Sequence, residues 1–149
     1  MKQHILKIFK TPFYFALFAI YPVLALLAYN SSELLFKDGV RSLLLSILAA
    51  VILFLLFWSL FRSKQRAALT ATILLFLFYG YGHLYNLVSK KWDIPHLTTW
   101  MLGLWLVLAA VAIGLLARRR TRVRKATPVL NIVALGLVIT AMVQAPRSL

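Results

Sequence analysis

The sequence contains five long apolar stretches that carry no Asp, Glu, Lys or Arg, and every charged residue lies in the segments around them. The stretches are Phe13–Tyr29, Ser42–Phe61, Ala67–Val88, Leu97–Ala117 and Pro128–Gln144. A helix needs roughly 17–25 apolar residues to cross a hydrocarbon layer about 30 Å thick. None of the stretches alternates with the period of two that a membrane β-strand shows. Each stretch therefore predicts a transmembrane α-helix, in which all backbone groups pair internally.

The composition excludes a water-soluble protein. Hydrophobic residues make up 62% of the 149 residues, charged residues make up 13%, and the mean hydropathy is +0.88. Soluble domains average about 45–50% apolar and about 25% charged residues. We predict an all-α fold, a single polytopic membrane domain over residues 1–149 built as a bundle of five transmembrane helices.

The basic residues predict the orientation of this bundle. Three segments hold most of them: Lys2, Lys7 and Lys10; Arg62, Lys64 and Arg66; and Arg118, Arg119, Arg120, Arg122, Arg124 and Lys125. These segments alternate along the chain with less basic ones, which contain the three acids Glu33, Asp38 and Asp93. The positive-inside rule therefore predicts that the N-terminus is cytoplasmic and the C-terminus lies outside.

The basic segment from Arg118 to Lys125 accounts for much of the net charge of +14. Because it connects two predicted membrane helices, we expect Arg118, Arg119, Arg120, Arg122, Arg124 and Lys125 to contact anionic lipid head groups. A nucleic-acid partner is not expected. The following Thr127-Pro128 pair predicts an N-cap and a first-turn proline for the fifth helix. Pro22 predicts a kink in the first helix, and the short segment Arg62–Arg66 predicts a hairpin of helices two and three.

A polar stripe runs along the predicted third helix. At about 100° per residue, its members fall on one face: Thr72, Tyr79, His83, Asn86 and Lys90. Polar groups at membrane depth are costly unless they are paired, so we expect this face to point toward protein. Together with residues of the outer loops, the stripe defines a candidate outer-leaflet polar site of Asn30, Glu33, Tyr79, His83, Asn86 and Asp93.

His83 is the one residue within the stretches that titrates near neutral pH, and three roles are open to it. It could form a hydrogen bond to a neighbouring helix through Asn30 or Tyr79, contact a lipid head group, or act as an acid–base catalyst. Catalysis needs a partner within hydrogen-bond reach. The sequence has no cysteine and no paired-histidine or paired-carboxylate spacing, so no metal and no cofactor is predicted.

Four short motifs resemble the N-terminal membrane portion of bacterial membrane-anchored sulfatase-like proteins of the alkaline phosphatase superfamily. The motifs are Phe18–Leu24 with Asn30, Lys64–Leu69, Tyr79–His83 and Leu130–Leu135. The resemblance implies a bacterial inner-membrane anchor that precedes an extracytoplasmic hydrolase or transferase domain. The metal-binding aspartates and the nucleophile of that superfamily are absent from this sequence, so no catalytic residue is carried over and the chain is not expected to be an enzyme.

The expected function is therefore that of a membrane anchor module, with membrane lipids and an extracytoplasmic sulfatase-like domain or protein as partners. In this interpretation the polar site presents a lipid-linked substrate to the catalytic domain. One alternative is a small transporter or flippase subunit for a lipid or glycan. Another is a small membrane enzyme that acts on lipid phosphates through Glu33, Asp93 and His83.

Overall fold

A computed structural model describes residues 10–29, 36–118 and 122–144 of the chain. Within these ranges the chain forms five long α-helices: α1 Tyr14–Tyr29, α2 Phe36–Phe61, α3 Lys64–Lys91, α4 Leu97–Arg118 and α5 Arg122–Gln144. The predicted all-α architecture is confirmed for these residues.

Four of the helices are long and apolar enough to cross a membrane, namely α2 over Gly39–Phe61, α3, α4, and α5 over Lys125–Gln144. The apolar helix α1 has 16 residues, which is about 24 Å at 1.5 Å per residue. Large apolar side chains cover the outside of the bundle; Trp100 and Leu106, for example, are each 71% exposed. A surface of this kind is that of a multi-pass membrane protein.

Three helices begin earlier than the sequence predicts. α2 begins at Phe36 instead of Ser42, α3 at Lys64 instead of Ala67, and α5 at Arg122 instead of Pro128. The predicted N-cap at Thr127 is therefore wrong: Thr127 is fully buried inside α5, and its hydroxyl donates to the Val123 carbonyl at 3.4 Å. An uncharged stretch identifies only the part of a helix that can lie in the hydrocarbon layer. The helix itself continues into the neighbouring charged segment.

The helices have two distinguishable ends. We call one the basic end, since it holds the start of α1, the α2–α3 turn, the end of α4 and the start of α5, with Arg62, Lys64, Arg66, Arg118 and Lys125. The opposite, distal end holds the end of α1, the start of α2, the α3–α4 connection and the end of α5. The predicted hairpin of α2 and α3 is confirmed, and its turn consists of Arg62 and Ser63.

α3 is the central helix, because it packs against all four others. α1 packs against α2, α3 and α5, whereas the main contact of α4 is with α3. Small residues allow these close contacts: Ala68 and Ala134 pack with Tyr14 and Phe18 in one core cluster. A second cluster joins Ala19, Ala50 and Leu75, and a third joins Phe57, Phe61 and Ala67.

Arg66, in the first turn of α3, joins two helix ends. Its guanidinium donates to the Phe61 carbonyl at 2.6 Å and to the Ala117 carbonyl at 2.9 Å, so it caps the C-terminal turns of both α2 and α4. Carbonyl groups at a helix C-terminus carry partial negative charge, which a cation stabilises. The sequence analysis assigned Arg66 only to the basic segments that set orientation; its structural role needs two helices at once.

Asn131, on α5, caps the beginning of α1. Its side-chain Oδ1 accepts a hydrogen bond from the Tyr14 backbone N–H at 3.0 Å, and its Nδ2 donates to the Thr11 carbonyl at 2.9 Å. Asn131 is fully buried. The first N–H groups of a helix have no partner within the helix, so a carboxamide from α5 supplies one for α1.

We expect Asn131→Ala to lower the free energy of unfolding by about 1–3 kcal/mol, because it leaves a buried backbone N–H without this acceptor. The measurement is thermal or denaturant unfolding of the purified protein in detergent, followed by circular dichroism. Asn86→Ala is the matched control, since Asn86 is exposed. Equal stability of the two variants would show that the contact between α1 and α5 does not depend on Asn131.

Candidate functional site

A groove of about 920 Å³ lies between α1, α2 and α3, and extends from the middle of the bundle toward the distal end. It is lined by Pro22, Val23 and Leu26 of α1, by Ser42, Leu45, Ser46, Ala49, Ile52 and Leu53 of α2, and by Leu74, Leu75, Phe78, Tyr79 and His83 of α3. The lining contains no Asp, Glu, Lys or Arg. Its volume lies within the range of small-molecule sites, about 300–1,000 Å³.

The polarity of the groove changes along its length. The lining residues nearest the distal end of α2 and α3 include Ser42 and His83, and the Ser46 and Tyr79 hydroxyls come next. Toward the middle of the bundle the lining is aliphatic. The polar side chains of the lining therefore lie in its distal half, beside Leu26, Leu45 and Phe78, and the inner half is apolar, which fits an amphiphilic ligand.

The helices that form the groove come together again at its distal side. A Cβ atom at Gly39 of α2 would lie 2.6 Å from both Leu27 methyl carbons of α1, so any larger residue there would displace the Leu27 side chain. Pro22, which was predicted to lie inside α1, does so and contributes to the wall. Proline has no backbone N–H, so one intrahelical hydrogen bond of α1 is missing beside the groove.

A chain of hydrogen bonds crosses all three helices at the groove. The Tyr79 hydroxyl of α3 bonds to the Ser46 hydroxyl of α2 at 2.5 Å, and Ser46 donates to the Ala19 carbonyl of α1 at 2.6 Å. Ser46 is only 5% exposed. The chain satisfies polar groups that lipid would leave unpaired, and it fixes the positions of the groove walls.

Ser46 is not among the site residues predicted from the sequence. A pattern that could have identified it is the pair Ser42 and Ser46, four residues apart and therefore on one face of an otherwise apolar helix. Its partner on α1 is a backbone carbonyl, and no side-chain pattern identifies such a group.

His83 lies at the rim of the groove, and its side chain is exposed. Within the described part of the chain it forms no hydrogen bond, so the expectation that the whole stripe faces protein is wrong for His83, and also for the exposed Asn86 and Lys90. The inner part of the stripe behaves as expected: Thr72 is buried and donates to the Ala68 carbonyl. Thr72 lies within the buried part of α3, which ends at Leu75, whereas His83, Asn86 and Lys90 lie beyond it.

The structure thus brings Tyr79 and His83 of the candidate polar site to one groove and leaves the other described members outside it. Asn86 and Asp93 are exposed and do not line the groove. Asn30 and Glu33 lie outside the described residues. At Gly80 and Gly82 of α3, an added Cβ would meet nothing within 4 Å among the described atoms, so no other helix approaches α3 closely at these positions.

The opposite side of α3 is occupied by α4. Trp105 donates from its indole N–H to the Leu77 carbonyl at 2.6 Å, and its ring meets Tyr81 edge-on with centroids 5.8 Å apart. Tyr81 also stacks on Tyr85. These aromatic contacts hold α4 against α3. α4 therefore lies on the side of α3 that is away from the groove.

Of the predicted lipid-contacting basic residues, Arg118 is exposed at the end of α4 and Lys125 is exposed in the first turn of α5. Arg122 and Arg124 belong to the first turn of α5, so the segment predicted as a loop is partly helical. Arg119 and Arg120 lie outside the described residues. Among the residues that the structure describes, no three His, Cys, Asp or Glu side chains form a group that could hold a metal ion.

Comparison with protein-family models, with curated proteins and with solved structures found no match to this chain.

We expect His83→Leu to change the free energy of unfolding by less than about 0.5 kcal/mol, because the side chain is exposed and unpaired among the described residues. Tyr79→Phe is the comparison variant, and should cost about 1 kcal/mol because it removes the bond to Ser46. Thermal unfolding in detergent measures both. If His83→Leu is as destabilised as Tyr79→Phe, His83 has a structural partner and the assignment of its side chain to the groove rim fails.

Proposed function

We propose that the protein is a five-span protein of the bacterial inner membrane that binds a membrane lipid in the groove and holds its head group at the outer surface. The observation that carries this proposal is the polarity of the groove, which is apolar at the middle of the bundle and polar toward the distal end. A lipid in the outer leaflet has the same polarity along the same axis.

The proposed orientation rests on the positive-inside rule, which favours a cytoplasmic basic end and a distal end outside. In this arrangement α1 is the fifth span. Its length of about 24 Å is less than the hydrocarbon thickness of about 30 Å, and a local thinning of the bilayer accommodates such a difference at modest cost. The groove then lies in the outer half of the membrane.

Two exposed cations support the binding of a lipid with an anionic head group. Arg41 lies one helical turn beyond Leu45, and Lys90 lies two turns beyond His83, so each continues a face that lines the groove. In the proposed orientation both lie between the Ser46–Tyr79 hydroxyl pair and the outer surface, Arg41 about 8 Å from Ser46 along α2 and Lys90 about 17 Å from Tyr79 along α3. A phosphate there would form charge-assisted hydrogen bonds with one or both.

The lipid would be held on the side where an extracytoplasmic domain acts. α5 ends at Gln144, at the distal end, so the chain leaves the membrane on the same side as the polar end of the groove. The resemblance to the membrane portion of sulfatase-like proteins gives the chemistry of such a domain, hydrolysis or transfer of a sulfate or phosphate ester. In this proposal the chain binds and presents the lipid, and the catalytic groups belong to the domain.

The orientation can be tested directly because the chain has no cysteine. We expect a membrane-impermeant maleimide added to intact bacterial cells with a permeabilised outer membrane to label Ile94→Cys and to leave Ser63→Cys unlabelled. Ile94 lies in the exposed α3–α4 connection, and Ser63 lies in the α2–α3 turn. Lysis before labelling should make Ser63→Cys reactive. The reverse pattern would place the groove in the cytoplasmic half.

Lipid binding can be tested by filling the groove. We expect Ala49→Trp to reduce, several-fold, the cross-linking of a photoactivatable phosphatidylglycerol to peptides of the groove, because Ala49 lines the groove and an indole would occupy its volume. The experiment uses the full chain in phosphatidylglycerol vesicles, with adducts mapped by mass spectrometry.

The matched control is Ala110→Trp. Ala110 is exposed on α4 and does not line the groove, so this variant should cross-link like the unsubstituted protein. Equal groove labelling in both tryptophan variants would contradict the proposed function, as would the absence of groove adducts from the unsubstituted protein.

A further inference from the structure

We propose that the groove selects a lipid whose hydrocarbon chain carries a hydroxyl group, and that this hydroxyl donates a hydrogen bond to the Tyr79 hydroxyl oxygen. The inference rests on the proposed function, because it specifies the ligand of the same groove. It follows from the direction of the hydrogen bonds between α1, α2 and α3.

The direction of these bonds is fixed by chemistry. A backbone carbonyl can only accept, so the single hydroxyl proton of Ser46 is directed to the Ala19 carbonyl. Ser46 then has no proton left for Tyr79. The bond of 2.5 Å between the two hydroxyls therefore requires Tyr79 to donate and Ser46 to accept.

This direction leaves the groove with acceptors at the level of Tyr79. The Tyr79 oxygen has given its proton away and still has acceptor capacity. Ser46 is 5% exposed, whereas Tyr79 is partly exposed, so Tyr79 is the more accessible of the two. A ligand carbonyl, ester or ether oxygen cannot pair with an acceptor. A ligand hydroxyl can, and in an apolar groove an additional hydrogen bond favours the ligand that makes it.

The depth of Tyr79 indicates that this hydroxyl belongs to the chain of the lipid and not to its head. Along α3, Tyr79 lies eleven residues, or about 17 Å, from Lys90. Along α2, its partner Ser46 lies five residues, or about 8 Å, from Arg41. A head group held by either cation is therefore nearer the distal end than the Tyr79 oxygen. A lipid that reaches both levels has an anionic head group and a hydroxyl on one acyl chain.

The test compares three phosphatidylglycerols that differ in one acyl chain: stearoyl, mid-chain hydroxystearoyl, and the corresponding ketostearoyl. Each competes with the photoactivatable phosphatidylglycerol for groove cross-linking to the full chain in vesicles. We expect the hydroxystearoyl lipid to compete about three- to ten-fold better than either of the others, the effect of one additional hydrogen bond.

Ser46→Ala provides the sharpest variant. Without the Ser46 hydroxyl, the Tyr79 proton is no longer engaged, so Tyr79 can donate it to a ligand. The ketostearoyl lipid should then compete better relative to the hydroxystearoyl lipid, and the preference for hydroxystearoyl should be lost or reversed. Ser59→Ala is the matched control, because Ser59 is on the same helix, donates to the Leu56 carbonyl and does not line the groove. It should keep the original preference.

Tyr79→Phe is the second variant, for the case that Ser46→Ala does not fold. It keeps the ring and removes the acceptor, so the advantage of hydroxystearoyl over stearoyl should fall toward one. A merely structural role of the hydroxyl pair would weaken all three lipids equally and would overturn the inference.

The failure of this inference is distinguishable from the failure of lipid binding. If all three lipids compete equally and Ala49→Trp still reduces the groove adducts several-fold, the groove binds lipid without selecting for a hydroxyl group, and only this inference is overturned. If no lipid gives groove adducts, both the inference and the proposed function are overturned.

Discussion

The carboxamide of Asn131 joins the beginning of α1 to α5, and the arrangement of α1 depends on this contact. A helix that begins inside an apolar bundle has no water for its first N–H groups, and Asn131 provides both an acceptor for the Tyr14 N–H and a donor for the Thr11 carbonyl. α1 is thereby held beside α5 at the basic end. Its other faces are left to pack against α2 and α3, and these three helices form the groove.

The same principle recurs where other polar groups are buried. Arg66 satisfies carbonyls at the ends of α2 and α4, and Ser46 satisfies a carbonyl of α1 while it accepts from Tyr79. All of these contacts lie at the basic end or near the middle of the bundle. In α3 the buried residues end at Leu75, and beyond it the polar side chain of His83 is exposed at the groove rim. The helices are thus held together by buried polar contacts at the basic end and in the middle of the bundle, and the groove is open toward the distal end.

The existence of all five helices could be predicted from the sequence, because a stretch of residues that is apolar enough to lie in hydrocarbon is recognisable from its composition alone. The starts of α2, α3 and α5 could not be predicted in this way, since a helix continues into charged segments without any change in its backbone bonding. The 3.6-residue period placed Tyr79 and His83 on one face, and both do line the groove. The period could not show that His83 would be exposed, because that depends on how far the neighbouring helices follow α3. The roles of Ser46, Arg66 and Asn131 each require a backbone group from a distant part of the chain, and no local pattern contains that information.

The proposed function depends most on a lipid that fills the groove between α1, α2 and α3. The most direct measurement is an experimental structure of the full chain in a nanodisc of bacterial phospholipids, at a resolution that distinguishes acyl chains from side chains. We expect continuous acyl-chain density along Leu75, Ala49 and Leu45, with its polar end near His83 and Ser42. A groove closed by the protein's own helices, or density with its polar end toward the middle of the bundle, would contradict lipid binding in this orientation.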